Sequence, residues 1–314
     1  MFQEILDSCK FVTNEAKDVK IDFDTADELV GNVELFNNTH WLASSPYGIL
    51  DWEIKDIVNF LLIYHAIGFS YWGDLKWTVI DGDSKLDGAF GMIYVLVKKM
   101  KEDKNFLYFP KLASISYEEF SNVFLGNIEI PLLGERYNYI IDTCKTVNRK
   151  MNGDFYSYIK GITNDIELWE IIINNFKAYQ DESIYNGKTI YFYKRAQLLV
   201  SDILHILAYK ENQKVDYSHL IGCADYKIPQ VMRSLGLLKY SDRLSNLIDC
   251  KSEITMGNNY EVEIRASMIV GINYIKEKLD NGTCTMDIND YLWLKGQEQS
   301  REIKPYHRTR TTAY

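Results

Sequence analysis

Proline is scarce in this chain, five in 314 residues, and no stretch is rich in glycine, serine or proline. Flexible or stiff interdomain linkers therefore have no support, and with no internal repeat the expectation is one continuous body over 1–314. Cysteine is sparse too. Cys9, Cys144, Cys223, Cys250 and Cys284 are odd in number, widely spaced and without a CxxC pair, which argues against a disulfide-stapled fold and reads as the reduced thiols of a cytoplasmic protein. MFQEILDSCKFV lacks a basic stretch followed by an apolar one, so no secretory signal is expected. The longest apolar-looking run, IVNFLLIYHAIGFSYW at 57–72, carries Asn59, His65 and Gly68 and is too short and polar to span a bilayer. Positive charge is in deficit: 35 Lys and Arg stand against 44 Asp and Glu, a formal net charge of -9. Such a field opposes loading onto a nucleic-acid polyanion or an anionic membrane. The expected partner is a small molecule, met by a monomer, with no stable nucleic acid and no membrane.

The common catalytic signatures are missing as well. No Walker A, GxGxxG, GxSxG or HExxH string occurs. The acidic cluster Asp81, Asp83, Asp87 departs from a calcium loop, having Leu86 where glycine is needed and Met92 where the bidentate Glu belongs. Among the histidines at 40, 65, 205, 219 and 307, the closest partnership is His219 with Cys223, one helical turn apart, which is no ligand set. Neither a metal nor an organic cofactor is expected.

Aromatic residues are abundant: 23 Tyr, 14 Phe and 6 Trp make 14% of the chain. Their flat apolar faces with polar rims suit cores and also stacking on a planar ligand. Apolar residues recur at spacings of three and four over 26–36, 52–65, 90–100, 132–147, 166–176, 193–208 and 262–279, which predicts a mostly α protein. The exception at 76–89, KWTVI then DGDSK, predicts a small β hairpin leading into a helix. GKTIYFYKRAQ at 187–197 begins with aromatic and β-branched residues and turns into the apolar helix LLVSDILHIL, placing Lys194 and Arg195 at its start.

Two segments invite functional readings. FSYWGDLKW places Phe69, Tyr71, Trp72 and Trp77 within nine residues, with glycines at 68 and 73 marking a turn. They are either a core loop or the wall of a site for a planar heterocycle. In CADYKIPQVMRSLGLL, Pro229 suits the first turn of a short helix and Gly236 its end, so Asp225 precedes a helix N-terminus. Its carboxylate either caps the free N–H groups there or faces a pocket. The same stretch has the cadence of a helix-turn-helix recognition helix with Arg233 pointing outward, and a nucleic-acid-binding regulator is the alternative function.

Taken together, FYKRAQLLV (192–200), ADYKIPQVMRSLGLLKYSD (224–242) and EVEIRA (261–266) resemble the queuosine salvage proteins, the queuosine 5′-phosphate N-glycosylase/hydrolase family. SCKFVTNEAKDVKI (8–21), FSYWGDLKW, IPLLGERY (130–137), DYLW (290–293) and YHRTR (306–310) fall in the same order, so the likeness covers nearly the whole chain. Departures are modest: Ser70 and Tyr71 in the aromatic string, Gly134 for an acid and Cys223 for a Phe.

The resemblance implies a helical fold related to helix-hairpin-helix base glycosylases. It also implies hydrolysis of the N-glycosidic bond of queuosine 5′-monophosphate, releasing queuine for return to tRNA. Close alternatives are a glycosylase acting on the free nucleoside or on the base within a polymer. Residue by residue, Asp225 matches the catalytic carboxylate and Lys194 the lysine beside it. Phe69, Tyr71 and Trp72 match an aromatic wall, while Asp74, Tyr226, Arg195, Glu263, Arg265 and His40 are further candidates for substrate contact. An ionised carboxylate against C1′ stabilises the oxocarbenium-like charge of ribosyl cleavage or activates water. Queuine is a 7-deazaguanine, so acid activation at N7 is unavailable and more of the barrier falls on that carboxylate. Lys194 either orients Asp225 or meets the 5′-phosphate.

Overall fold

The computed structural model describes residues 1–31, 40–44, 47–298 and 303–314. In chain order the helices are α1 (Phe2–Glu15), α2 (Phe23–Val30), α3 (Ile54–Ile67), α4 (Gly88–Glu102), α5 (Phe109–Leu112), α6 (Tyr117–Val123), α7 (Leu133–Lys150), α8 (Phe155–Ile159), α9 (Asp165–Asn175), α10 (Lys194–Glu211), α11 (Lys227–Ser234), α12 (Asp242–Asp249), α13 (Asn259–Leu279) and α14 (Thr285–Glu298). Strands among the described residues pair two at a time and antiparallel: β1 (Val19–Ile21) with β6 (Leu238–Tyr240), β2 (Thr78–Asp81) with β3 (Ser84–Asp87), and β4 (Glu182–Tyr185) with β5 (Lys188–Tyr191). The mostly helical, single-body expectation agrees with this architecture.

Two helices carry the core. Every residue from Ile57 to Ile67 in α3 and from Glu261 to Asn273 in α13 is buried. A helix buried on all sides is a central one, and its neighbours wrap it: α10, α7 and α8 pack on α3, while α1, α2, α11 and α14 pack on α13. Among the described residues no helix is long and apolar enough to cross a membrane.

The end of α3 shows how the chain is held around the cavity. The last carbonyls of a helix lack intrahelical partners. Here two buried guanidinium groups supply them. Arg195 donates to His65 O (2.8 Å), Ala66 O (2.6 Å) and Ala178 O, while Arg136 donates to Ile67 O, Phe69 O and Pro131 O. The Phe69 ring lies beneath both, 4.3 Å from the Arg136 guanidinium carbon and 5.0 Å from that of Arg195.

All seven predicted helices have a counterpart. The first ends at Val30 rather than 36, with 32–39 outside the described residues. The expected hairpin is β2–β3, and its acidic cluster is a turn: Gly82 and Asp83 form a two-residue loop in which Gly82 adopts φ +57. A second hairpin, β4–β5, precedes α10. The β1–β6 pair, joining residues 19 and 240, was not predicted because three-residue strands carry no readable alternation.

Candidate active site

A cavity of about 860 Å³ opens between the end of α3, the starts of α4, α10 and α11, the middle of α14 and the segment 303–314. That volume suits a nucleotide-sized guest. Asp225 lines it and is only 5% exposed. Its Oδ1 accepts from the backbone N–H groups of Lys227 and Ile228, both at 2.8 Å, so the carboxylate caps α11. Oδ2 takes no hydrogen bond from any described residue. The cap and the pocket readings are thus compatible: one oxygen fixes the group, the other is available to a ligand.

Lys194, half-buried at the first position of α10, lines the same cavity. Burial lowers its pKa against the opposing pull of Asp225, and burial raises that of Asp225 against Lys194 and the two N–H groups. Each is driven toward its neutral form by desolvation and back by the other's charge. The two side chains are not in ion-pair contact, and both line the cavity.

Their spacing is fixed from behind. Asp181 Oδ2 accepts from the backbone N–H of Lys194 at 3.0 Å, and its carbonyl accepts from Phe192 and Tyr193. This holds Tyr193 at φ +51, an uncommon conformation for a bulky residue. The Asp181 carboxylate also receives Arg265 at 2.9 and 2.6 Å, and Arg265 Nε donates to the carbonyl of Ala224, the residue before Asp225, at 3.0 Å.

A second polar cluster borders the cavity, reaching its lining through Trp41 and His65. Asp202, buried on α10, accepts from His40 Nε2 (3.0 Å) and Trp41 Nε1 (3.0 Å) on Oδ1 and from His65 Nε2 (2.7 Å) on Oδ2. Burial opposes the charge on Asp202, but the two imidazoles outweigh it and hold the carboxyl below the usual range. Burial lowers the pKa of His65; for His40 the Asp202 contacts outweigh burial and raise it. Beside this cluster Asp290 on α14 lines the cavity, and burial pushes its carboxyl up to about 7. Sequence reasoning missed Asp290. Its string, DYLW, was noted, but nothing local distinguishes a helical Asp facing a cavity from one facing water. Among the described residues no group of three or more His, Cys, Asp or Glu side chains is arranged to hold a metal ion.

The predicted residues divide accordingly. Asp225, Lys194, Tyr71, Tyr226 and Asp74 line the cavity. Asp74 sits at the rim, its carboxylate almost fully exposed and bound to Arg308 at 2.6 Å. Phe69 and Trp72 need correction: they are 0% and 3% exposed and lie outside the lining. Phe69 fills the space under the two arginines, and Trp72 anchors the C-terminal segment, donating to Thr309 O at 3.1 Å with Arg310 stacked 3.7 Å above it. Arg195 and Arg265 are likewise withdrawn from the lining, since burial commits their donors to carbonyls and Asp181. Glu263 accepts from the N–H groups of Asp18 and Val19 and the Tyr185 hydroxyl, joining α13 to β1 and β4. His40 reaches the site through Asp202 rather than lining it. Arg233, expected to point outward, is bound to Asp249 at 2.7 and 3.2 Å, and His219 pairs with Asp165 on an irregular segment rather than with Cys223.

A helical body that sinks an aromatic-rich cavity lined by a buried carboxylate and a lysine, with a second carboxyl in the lining whose pKa burial raises, has the make-up of an acid–base site for a small polar heterocyclic ligand. The chain belongs to the queuosine salvage protein family, whose model matches residues 50–314. A relative from Sphaerobacter thermophilus named queuosine 5′-phosphate N-glycosylase/hydrolase is 29% identical over 317 residues, covering 99% of this chain and 97% of the relative. The mouse protein of the same name is also 29% identical, with 98% of each chain covered, and a Dictyostelium discoideum one is 30% identical over 59% of this chain and 60% of its own.

Proposed function

We propose that this chain hydrolyses the N-glycosidic bond of queuosine 5′-monophosphate, releasing queuine for salvage into tRNA, and that 1–314 acts as one such domain. The observation that carries the reading is Asp225, a buried carboxylate with one oxygen fixed by two N–H groups and the other available to the cavity opposite Lys194. Family membership and the names of the relatives support the substrate and the reaction.

In this reading the ribose lies against Asp225, whose free oxygen stabilises the positive charge growing at C1′ or activates the water that attacks there. The two N–H groups and the Lys194 ammonium hold it ionised and oriented. A contact of this kind is worth ~3–4 kcal/mol of barrier. Asp290, whose proton burial retains up to about pH 7, donates to the departing base, which lacks the N7 that an ordinary purine would offer; such a group contributes roughly 10²–10⁴-fold. Tyr64, Tyr71, Tyr226 and Trp293 supply flat faces for the base and sugar. Kinship with helix-hairpin-helix base glycosylases, a monomeric state, a cytoplasmic setting and independence of metal and cofactor belong to the same reading. The competing regulator would need Arg233 free to read a base, and Arg233 is committed to Asp249.

The test is turnover of queuosine 5′-monophosphate, queuosine and intact modified tRNA by purified protein with a chelator present. Base release from the monophosphate is expected. Release only from tRNA, or only after a divalent ion is restored, would refute the reading.

A further inference from the structure

Tyr314 stands between the cavity and the Asp181–Arg265 pair behind it. It lines the cavity yet is only 2% exposed, and its carbonyl accepts from the backbone N–H of Ser70 at 2.8 Å. The Arg265 guanidinium is packed against two aromatic rings, its central carbon 3.9 Å from the centre of Phe192 and 4.3 Å from that of Tyr314. Stacking on aromatic faces fixes the plane of a guanidinium and strengthens when both are desolvated. That plane carries the contacts that matter to the site: Nη1 and Nη2 meet Asp181 at 2.9 and 2.6 Å, and Nε meets the Ala224 carbonyl at 3.0 Å.

A second carboxylate competes for the same cation. Glu261, one turn before Arg265 on α13, is buried, and its Oε1 lies 3.4 Å from Nη1, a longer contact than either to Asp181. The donor that Oε1 holds at closer range is the Tyr314 hydroxyl, at 3.0 Å. The hydroxyl oxygen in turn faces His307 Nε2 at 3.1 Å. Burial, then Arg265, lower the His307 pKa to about 3, so a neutral imidazole with its proton on Nε2 donates to the hydroxyl. Burial raises the Glu261 pKa, and Arg265, the Gly257 N–H and the Tyr314 hydroxyl oppose it. A buried carboxylate needs its lone pairs met. Without the hydroxyl, the donor left to Oε1 among the described residues is Nη1, and closing Nη1 onto Glu261 turns the guanidinium away from Asp181 and Ala224.

We propose that Tyr314 is a positioning residue for base release: by occupying Glu261 Oε1 and stacking on Arg265 it reserves the guanidinium for Asp181 and Ala224, and so keeps Lys194 and Asp225 in register. The proposal rests on the hydrolase reading above and adds a residue that acts through the buried ion pair rather than on the substrate.

The experiment is kcat and KM for queuosine 5′-monophosphate in wild type, Tyr314→Phe, Tyr314→Leu and the double variant Tyr314→Phe/Glu261→Gln, each with its melting temperature. Tyr314→Phe keeps the ring and loses only the hydroxyl, so kcat should fall fivefold or more with KM within twofold. Tyr314→Leu loses the stack as well and should fall further. Adding Glu261→Gln removes the competing charge and should restore most of the kcat lost in Tyr314→Phe. A merely structural tyrosine would lower the melting temperature without that rescue, and a mere cavity wall would raise KM at unchanged kcat; either result overturns the proposal. Should Tyr314→Phe not fold, a double variant that folds and turns over supports the proposal, and one that fails as well overturns it.

If wild type releases no base from the monophosphate, the hydrolase reading fails, and the positioning role is decided by the pH midpoint for acetylation of Lys194, followed by peptide mass spectrometry. Burial, then Glu261, keep the Tyr314 phenol protonated well above neutral pH, so neither single variant changes a charge. A midpoint moved by about half a pH unit or more then reports that Lys194 has shifted against Asp225. An unmoved midpoint in Tyr314→Phe and Tyr314→Leu overturns the assignment.

Discussion

Arg265 and Asp181 form a buried, two-pronged ion pair, with nitrogen to oxygen distances of 2.9 and 2.6 Å, although 84 residues separate them. Each partner also holds backbone beside the cavity's lysine and carboxylate, Asp181 that of Lys194 and Arg265 that of Ala224, the residue before Asp225. The pair therefore sets the distance between Lys194 and Asp225 without touching the cavity.

Replacing Asp181 with Asn keeps the shape of this bracket but removes the nearer of the guanidinium's two counter-charges, leaving only Glu261 at 3.4 Å. Removing one partner of a buried pair costs ~3–5 kcal/mol. Thermal melting should show that loss. In the protein that remains folded, kcat should fall tenfold or more with KM little changed, because substrate contacts stay while the Lys194 to Asp225 spacing drifts. A stability loss with normal kcat would reduce the bracket to a purely structural role.

Asp290 should govern the alkaline limb of the pH profile. Its carboxyl holds a proton up to about 7 because burial penalises the charge. Activity that needs the protonated form falls as pH rises through that value. In the proposed mechanism Asp225 acts ionised and should set the acid limb, which burial displaces upward from the ordinary carboxylate range. For stability the sign is the same as for any acid raised on folding: the folded state keeps a proton that the unfolded chain releases, so stability falls between the ordinary carboxylate pKa and about 7. Asp290→Asn should lower kcat/KM, abolish the limb near 7, and melt at least as high as wild type at pH 8. A profile with its alkaline limb intact would remove Asp290 from the chemistry.

Trp72→Ala should act on the fold before it acts on the ligand. Truncating a buried Trp costs ~3–5 kcal/mol, and here it also frees Thr309 O and Arg310 in the segment that brings Tyr306, Arg308 and Tyr314 to the cavity. Lower melting temperature and faster proteolysis within 303–314 are expected. A variant as stable as wild type with selectively weakened base affinity would restore Trp72 to the ligand wall.

The parts of the site legible in the sequence were those with a local signature. Helical spacing located α3, α10 and α13, the change from strand to helix put Lys194 at the start of α10, and Pro229 with Gly236 put Asp225 before α11. What was not legible depends on partners far along the chain. Arg195 and Arg265 looked like pocket cations because sequence cannot show the α3 carbonyls or Asp181 that absorb them. The string around Phe69 and Trp72 left core loop and ligand wall open, and the resemblance favoured the wall, because a glycine-flanked aromatic string reads the same whether a tail covers it or not. Asp290 and Asp202 carry their meaning only through burial, which no spacing encodes.

The most direct test is single-turnover base release by Asp225→Asn, measured beside ligand affinity. Asn retains an oxygen able to accept from the N–H groups of Lys227 and Ile228, so the cap on α11 survives and the fold should melt near wild type. Only the charge facing C1′ is lost. The account predicts a fall in kcat of two orders of magnitude or more, with affinity for the monophosphate nearly unchanged, since the lost interaction grows only as the bond breaks. Near-normal turnover in a folded Asp225→Asn protein would leave the carboxylate a helix cap and contradict the mechanism.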